Sequence, residues 1–207
     1  MPFAPDWLAG DAHLRGKAPE LNALIDKYGP CTLKPEPEER YFEILVRGII
    51  SQQLPPEVVN EIYLRLKSHL GSITPGQLLT SDCEALSKLG LVDQKIQYLK
   101  GFSQMVLDKK VTLDKFADMT DGEITKQLLG VKGLGQWTIE MFLLLALCRT
   151  DISPTADHVF KKALKTLLQL PEIPKRGQIN RITENWRPWR SLAVWYLWRY
   201  ADELWPN

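Results

Sequence analysis

Cysteine is scarce in this chain of 207 residues. The three present, Cys31, Cys83 and Cys148, lie far apart and form no Cys-x-x-Cys pair, which argues against a thiol metal site and against a disulfide framework. Reduced thiols in or near the core are expected. Long apolar runs are missing too: none approaches the roughly 18 residues that a membrane span needs. The opening MPFAPDWLAG has no basic segment leading into an apolar core, as a secretory leader requires. A soluble, intracellular protein is expected. Internal repeats, low-complexity tracts and period-2 strand patterns are equally hard to find. Charge of one sign is also lacking, since 26 Lys/Arg face 25 Asp/Glu for a net charge of +1. That balance does little for a nucleic-acid binder, but the charge is unevenly placed. Residues 161–207 hold nine Lys/Arg against four Asp/Glu, whereas residues 1–160 hold seventeen against twenty-one. A local polyanion-binding patch and an ordinary solvated surface are both compatible with this.

What the chain does have is apolar spacing of helical period, so an all-α fold is predicted. A first helix is expected over Glu20–Tyr28, ending at Gly29-Pro30. An apolar helix follows over Tyr41–Leu54, stopped by Pro55-Pro56, with another from about Glu57 to Leu70. Thr74-Pro75 and Ser81-x-x-Glu84 signal the starts of short helices. Ile96, Leu99, Phe102 and Val106 make one stripe of a longer helix. Asp121 is a candidate cap for a helix ending at Gly130, and Trp137–Cys148, apolar nearly all round, is expected to be the central buried helix. The connector RTDISPTAD leads to the helix HVFKKALKTLLQL, and the last helix is expected from about Trp189 to Leu204.

The stretch GVKGLGQWTIEMF, from Gly130 to Phe142, sets three glycines against the start of the apolar helix. Gly133 and Gly135 are able to take positive φ and admit another backbone, while Val131 and Leu134 tuck into the core and hold the turn shut. Amides at the start of the next helix then point at a phosphate, and Lys132 adds a charge, giving a sequence-independent grip on a nucleic-acid backbone. The plainer alternative is that Gly130 is a C-cap and the other two make a tight turn between helices. Trp137 is a large residue for the first turn of a core helix. Asp157 stands at the start of HVFKKALKTLLQL, where an N-cap role suffices to explain it and a catalytic role needs the carboxylate to face a pocket. ENWRPWRSLAVWYLWRY interleaves Trp186, Trp189, Trp195 and Trp198 with arginines; such a cluster serves a core or an aromatic wall for flat, cationic bases.

Together, RGIISQQL, LGLVDQKIQYL, LLGVKGLGQWTIEMFLL, DISPTADHVFKK and WRPWRSLAVWYLW resemble the helix-hairpin-helix DNA glycosylase superfamily. Within it the likeness is to the 3-methyladenine DNA glycosylase II family of alkylation-repair enzymes, in its compact form without a β-rich N-terminal domain. The resemblance implies two helical lobes flanking a DNA-binding cleft, one over about residues 40–155 and the other from 1–39 with 156–207. It implies a monofunctional hydrolase that flips alkylated purines out of duplex DNA and leaves an abasic site, with hypoxanthine, ethenoadenine or oxidised bases as alternative lesions and a non-catalytic DNA-binding module as an alternative class. Asp157 matches the catalytic aspartate. Trp137 and Trp198 match the base pocket, with Met141 and His158 beside them. Hairpin contacts to DNA are implied at Val131, Lys132, Gly133, Leu134, Gly135, Gln136 and Thr138. Gln53, with Leu54, matches the tip that wedges into the duplex, and Arg190 contacts DNA, orients the Asp157 loop or simply packs at the start of the last helix. Trp137 stands where bifunctional relatives carry a lyase lysine, so β-elimination is not expected. No cofactor is implied for the chemistry, and no iron–sulfur cluster; the carbonyls of Leu129, Val131 and Leu134 are candidate ligands for a structural Na+ or K+. The implied partner is damaged double-stranded DNA, met by a monomer in the bacterial cytoplasm or the eukaryotic nucleus.

Overall fold

The computed structural model describes residues 4–205, and every regular element among them is helical, the class that the apolar spacing predicts. In chain order the α-helices are α1 Trp7–Lys17, α2 Asn22–Tyr28, α3 Tyr41–Ser51, α4 Pro56–Leu70, α5 Pro75–Thr80 and α6 Cys83–Lys88. They continue as α7 Asp93–Leu107, α8 Asp121–Leu129, α9 Gln136–Met141, α10 His158–Leu167, α11 Arg176–Ile182 and α12 Arg190–Leu204. None is long and apolar enough to cross a membrane. Two compact units divide them. One runs over Glu36–Phe142 and holds α3 to α9; the other, among the described residues, joins residues 4–35 to residues 143–205.

The second crossing thus falls at Phe142/Leu143 rather than near residue 155, and the reason is local bonding. The Ser191 amide donates to the Thr150 carbonyl at 2.9 Å, and the Ile152 amide donates to Ser191 Oγ at 2.9 Å. Asp151 holds Arg187 and Arg190 by ion pairs. These bonds tie residues 150–152 to the start of α12.

In the Glu36–Phe142 unit, α3 buries Tyr41, Phe42, Leu45, Val46, Ile49 and Ile50, neighbours on one side of a 3.6-residue period. It ends at Ser51, three residues earlier than its apolar run suggests, because Gln52 turns extended ahead of Pro55-Pro56. Phe42 stacks on Phe102 of α7 at 5.0 Å, and Tyr41 meets Phe142 edge-on at 5.4 Å. The α7 stripe is buried at Ile96, Leu99 and Phe102 and half-buried at Val106. Two caps fall one residue away from the expected ones. Thr120, not Asp121, caps α8, since only that register lets Glu123 bond back to the Thr120 amide in a reciprocal capping box. Asp82, not Ser81, caps α6 by accepting from the Ala85 amide at 2.9 Å.

In the other unit, α12 is buried over seven consecutive residues, Ser191 to Leu197, and is the enclosed helix. The expected continuous core helix over Trp137–Cys148 does not exist. It is α9 followed by a π-helical turn, Phe142–Ala146, with Leu145 exposed. A π turn adds a residue to the ladder and rotates the apolar face, at the place where the chain changes unit. Helices α1 and α11 were not expected. Trp186 is fully buried, its indole N–H donating to Glu20 at 3.0 Å. Cys31 and Cys148 are buried as expected, whereas Cys83 is exposed at the start of α6. Burial pushes the Cys31 thiol up to about 12, which leaves it a core filler.

Candidate functional site

The glycine loop joins α8 to α9. Gly130 keeps right-handed helical dihedrals, with its amide donating to Gln127 O at 3.2 Å, so it prolongs the turn instead of closing it with a left-handed cap. The loop then closes through bonds from Val131 N to Leu128 O (3.0 Å) and from Leu134 N to Val131 O (3.1 Å). Val131 and Leu134 are buried, as the apolar-x-Gly-apolar-Gly pattern requires. Gly133 takes φ 90°, and a Cβ there would lie 2.6 Å from Tyr98 Cδ2. Gly135 corrects the expectation of a second positive φ: its φ of −96° and ψ of 165° are ordinary extended backbone. What its lack of a side chain does is leave open space at the N-cap of α9, to which no side chain contributes a capping bond.

Beyond the loop the side chains diverge. Lys132 is exposed, and so is Gln136, whose amide donates to Glu140 at 3.0 Å. Trp137 is 42% exposed, an odd state for an indole on the first turn of an apolar helix. Thr138 is buried with its methyl at the bare face of Gly48, where a Cβ would lie 2.6 Å away. Its side chain packs α9 onto α3 and is not presented to a ligand, so any DNA contact at this position falls to the backbone. Met141 is half-buried, and Leu129 is exposed at the end of α8.

The turn after α3 lies in the same unit. Gln53, exposed at φ 58°, is a non-glycine residue in the left-handed region, and Leu54 beside it is half-buried. Three unanticipated residues connect this turn to the hairpin. Gln52 Nε2 donates to the Gly133 carbonyl at 2.6 Å, Lys95 Nζ donates to the carbonyls of Ile50 and Gln52, and the Tyr98 ring covers Gly133. The only trace of them in the sequence is that Lys95 and Tyr98 are i, i+3 partners in and beside the apolar stripe of α7, where both are half-buried.

In the other unit, Asp157 is the N-cap of α10 and 8% exposed. Its Oδ1 accepts from the Phe160 amide at 2.6 Å and from the indole N–H of Trp198 at 3.2 Å. The cap reading of Asp157 is therefore correct, worth about 0.5–2 kcal/mol, and it also orients the carboxylate. Trp198 is half-buried and bonds to that carboxylate edge-on. His158 is exposed. Arg190 is half-buried, with its guanidinium donating to the carboxylate and the carbonyl of Asp151, the latter at 2.6 Å. That pairing favours the loop-orienting alternative for Arg190 over a phosphate contact. Asp151, hidden in the connector, carried no sequence signal beyond its charge. Trp186 and Trp195 belong to the core, and Trp189 meets Trp7 edge-on at 6.1 Å.

The sequence pattern of the HhH-GPD superfamily base excision DNA repair proteins matches residues 46–188. The alkylbase DNA glycosidase-like protein mag2 of Schizosaccharomyces pombe is 30% identical over 94% of this chain and 93% of its own length. DNA-3-methyladenine glycosylase 1 of the same yeast is 32% identical over 86% of this chain and 79% of its own. Among solved structures, the S. pombe 3-methyladenine DNA glycosylase in complex with abasic DNA superposes with a TM-score of 0.80 at 28% identity, over 94% of this chain and 97% of the other. DNA-3-methyladenine glycosidase from Bacillus halodurans superposes with a TM-score of 0.85 at 26% identity, over 98% and 93%.

Proposed function

The chain belongs to the HhH-GPD superfamily of base excision DNA repair proteins, and from that premise we propose that it excises alkylated purines of the 3-methyladenine and 7-methylguanine class from duplex DNA, leaving abasic sites. The two S. pombe relatives are named an alkylbase DNA glycosidase-like protein and a DNA-3-methyladenine glycosylase, and the chain spans 93% and 79% of their length. The observation that carries the residue-level reading is Asp157: a nearly buried carboxylate held in one orientation by a helix amide and an indole N–H.

The chemistry suits those residue types. Alkylation at N3 or N7 gives the purine a positive charge, so it departs as a neutral base without a dedicated general acid. Help is needed on the sugar. The Asp157 carboxylate stabilises the positive charge that develops at C1′ as the glycosidic bond breaks, orients the water whose oxygen bonds to C1′, and takes up the proton that this water sheds. Trp137, exposed on its helix, stacks on the extrahelical base and favours a cationic one by about 0.5–2 kcal/mol; Trp198 aligns Asp157, and Met141 and His158 are further candidates for contact with the base. The hairpin holds DNA phosphates through loop and helix-start amides from Val131 to Gln136 and the Lys132 charge. Gln53 and Leu54 enter the duplex as the base leaves the stack. A monovalent cation on the carbonyls of Leu129, Val131 and Leu134 fits in one respect: the Val131 carbonyl, which closes the turn to Leu134, keeps its second lone pair. The hydrolysis itself requires no redox or group-carrying cofactor. The protein acts as a monomer on damaged double-stranded DNA, inside the cell.

Base release from methylated duplex DNA, read by chromatography of free bases, is the test. Release of 3-methyladenine and 7-methylguanine with the sugar–phosphate strand left intact is expected. Release of only hypoxanthine, ethenoadenine or an oxidised base moves the specificity. Binding without release from any lesion makes the chain a DNA-binding module.

A further inference from the structure

We infer that Lys95 and Gln52 are positioning residues that lock the tip after α3 to the hairpin loop, so that holding the backbone and prying open the base pair become one rigid step. This rests on the glycosylase reading above.

The last carbonyls of α3 are orphan acceptors at the negative end of a helix dipole. The Lys95 ammonium takes two of them, Ile50 O and Gln52 O, the second at 2.9 Å. Only past that clamp does the chain reverse, through Gln53 at φ 58°, a conformation that costs a non-glycine residue on the order of 1 kcal/mol and persists where its surroundings impose it. The Gln52 side chain meanwhile reaches the Gly133 carbonyl at 2.6 Å, in the middle of the hairpin loop and 81 residues away in sequence. Tyr98, one turn beyond Lys95 on α7, fills the space that Gly133 leaves by having no Cβ. One face of α7 therefore braces both segments, and Gln52 is a direct strut between them.

A second lysine on α7 supplies an internal control. Lys100 donates to the carbonyls of Leu79 (3.0 Å) and Ser81, closing α5 as Lys95 closes α3. The chemistry is the same, but the turn after α5 contains none of the residues proposed to meet DNA. If these lysines are only helix caps, their removal has equivalent effects. If Lys95 also braces a wedge, its removal has an extra effect wherever a base pair must be forced open, since extruding a nucleotide takes a few kcal/mol and the tip must bear that reaction.

The experiment measures single-turnover base release from two duplexes, one with the lesion opposite its pairing partner and one with it opposite an abasic site, where no pair has to be broken. Lys95→Met should slow release from the paired lesion by roughly tenfold and from the unpaired lesion by less than about threefold. Lys95→Arg, which keeps donors at the same place, should recover most of the loss. Gln52→Ala should shift the ratio of the two rates in the same direction by less. Lys100→Met should lower the melting temperature and leave the ratio at its wild-type value. Equal slowing on both duplexes by Lys95→Met, or the same ratio for Lys95→Met and Lys100→Met, overturns the inference. A wild-type protein that releases base from neither duplex overturns the glycosylase reading and this one with it.

Discussion

The hairpin in the Glu36–Phe142 unit is a surface from which side chains have been withheld: Gly133 at φ 90° under Tyr98, Gly135 bare at a helix start, and Val131 and Leu134 turned inward. The candidate catalytic position in the other unit is the reverse, a single carboxylate enclosed by a helix amide and an indole, next to a loop pinned by Asp151, Arg187 and Arg190. Backbone suits a partner that repeats along its length, because every nucleotide offers the same phosphate. A fixed carboxylate suits a charge that develops at one atom. On the proposed function, the two units thus differ in what they offer the substrate: backbone in one, a side chain in the other.

The contrast is broken most directly at Asp157. Asp157→Asn keeps an Oδ1 acceptor for the Phe160 amide and the Trp198 indole, so the melting temperature and DNA affinity should hold while base release falls by roughly 10²- to 10³-fold. Near wild-type release by this variant would end the catalytic assignment. Next in size, Gly133→Ala puts a methyl 2.6 Å from Tyr98 at a positive φ and should destabilise the fold by roughly 1–3 kcal/mol with a loss of DNA affinity. Unchanged melting and binding would show that the loop's conformation is not what holds DNA. Trp137→Ala tests the one exposed aromatic of the glycine-side unit. Melting should change little, and release of cationic bases should fall about 2- to 30-fold, more than release of neutral hypoxanthine.

The smallest effect lies in the core of the second unit. Burial holds the Asp11 carboxyl above its ordinary value of 3.8, against the lowering pull of the Tyr196 hydroxyl and of Arg15. The folded chain therefore binds that proton more tightly than the unfolded one. Its contribution is full below the unfolded value and is lost as pH rises through the raised folded value. Asp11→Asn, which keeps the acceptor for Tyr196 and has no charge to bury, should raise the melting temperature at pH 7 by roughly 1–3 °C. The gain should shrink as pH falls to about 4. A loss of stability at pH 7 would mean that the ionised carboxylate is the better partner for Tyr196.

Much of this was legible in the sequence because the α3 and α7 stripes, the proline stops and the glycine loop are local signals. α1 escaped because its buried positions, Trp7, Gly10, Asp11 and Leu14, keep the i, i+3, i+4, i+7 spacing but fill half of it with a glycine and an acid. α11 escaped because only Ile179 of its seven residues is buried. The caps slipped by one where two eligible residues adjoin, Thr120-Asp121 and Ser81-Asp82, and only bonds seen in three dimensions choose between them. The break after Met141 was invisible, since an apolar run reads alike whether it serves one core or two. At the candidate site the motif residues stand out by pattern and by resemblance, whereas Gln52, Lys95 and Asp151 act through partners tens of residues away.

Chain order adds a temporal dimension to the division of units. A ribosome delivers all of Glu36–Phe142 before the other unit has received the part that begins at Leu143, and domains tend to fold as they emerge. The hairpin is thus synthesised before Asp157, and Trp198, 41 residues further on, arrives later still. Biosynthesis therefore delivers the hairpin before the carboxylate and its indole partner, so a chain interrupted between hairpin and carboxylate lacks the group proposed to assist cleavage of the glycosidic bond.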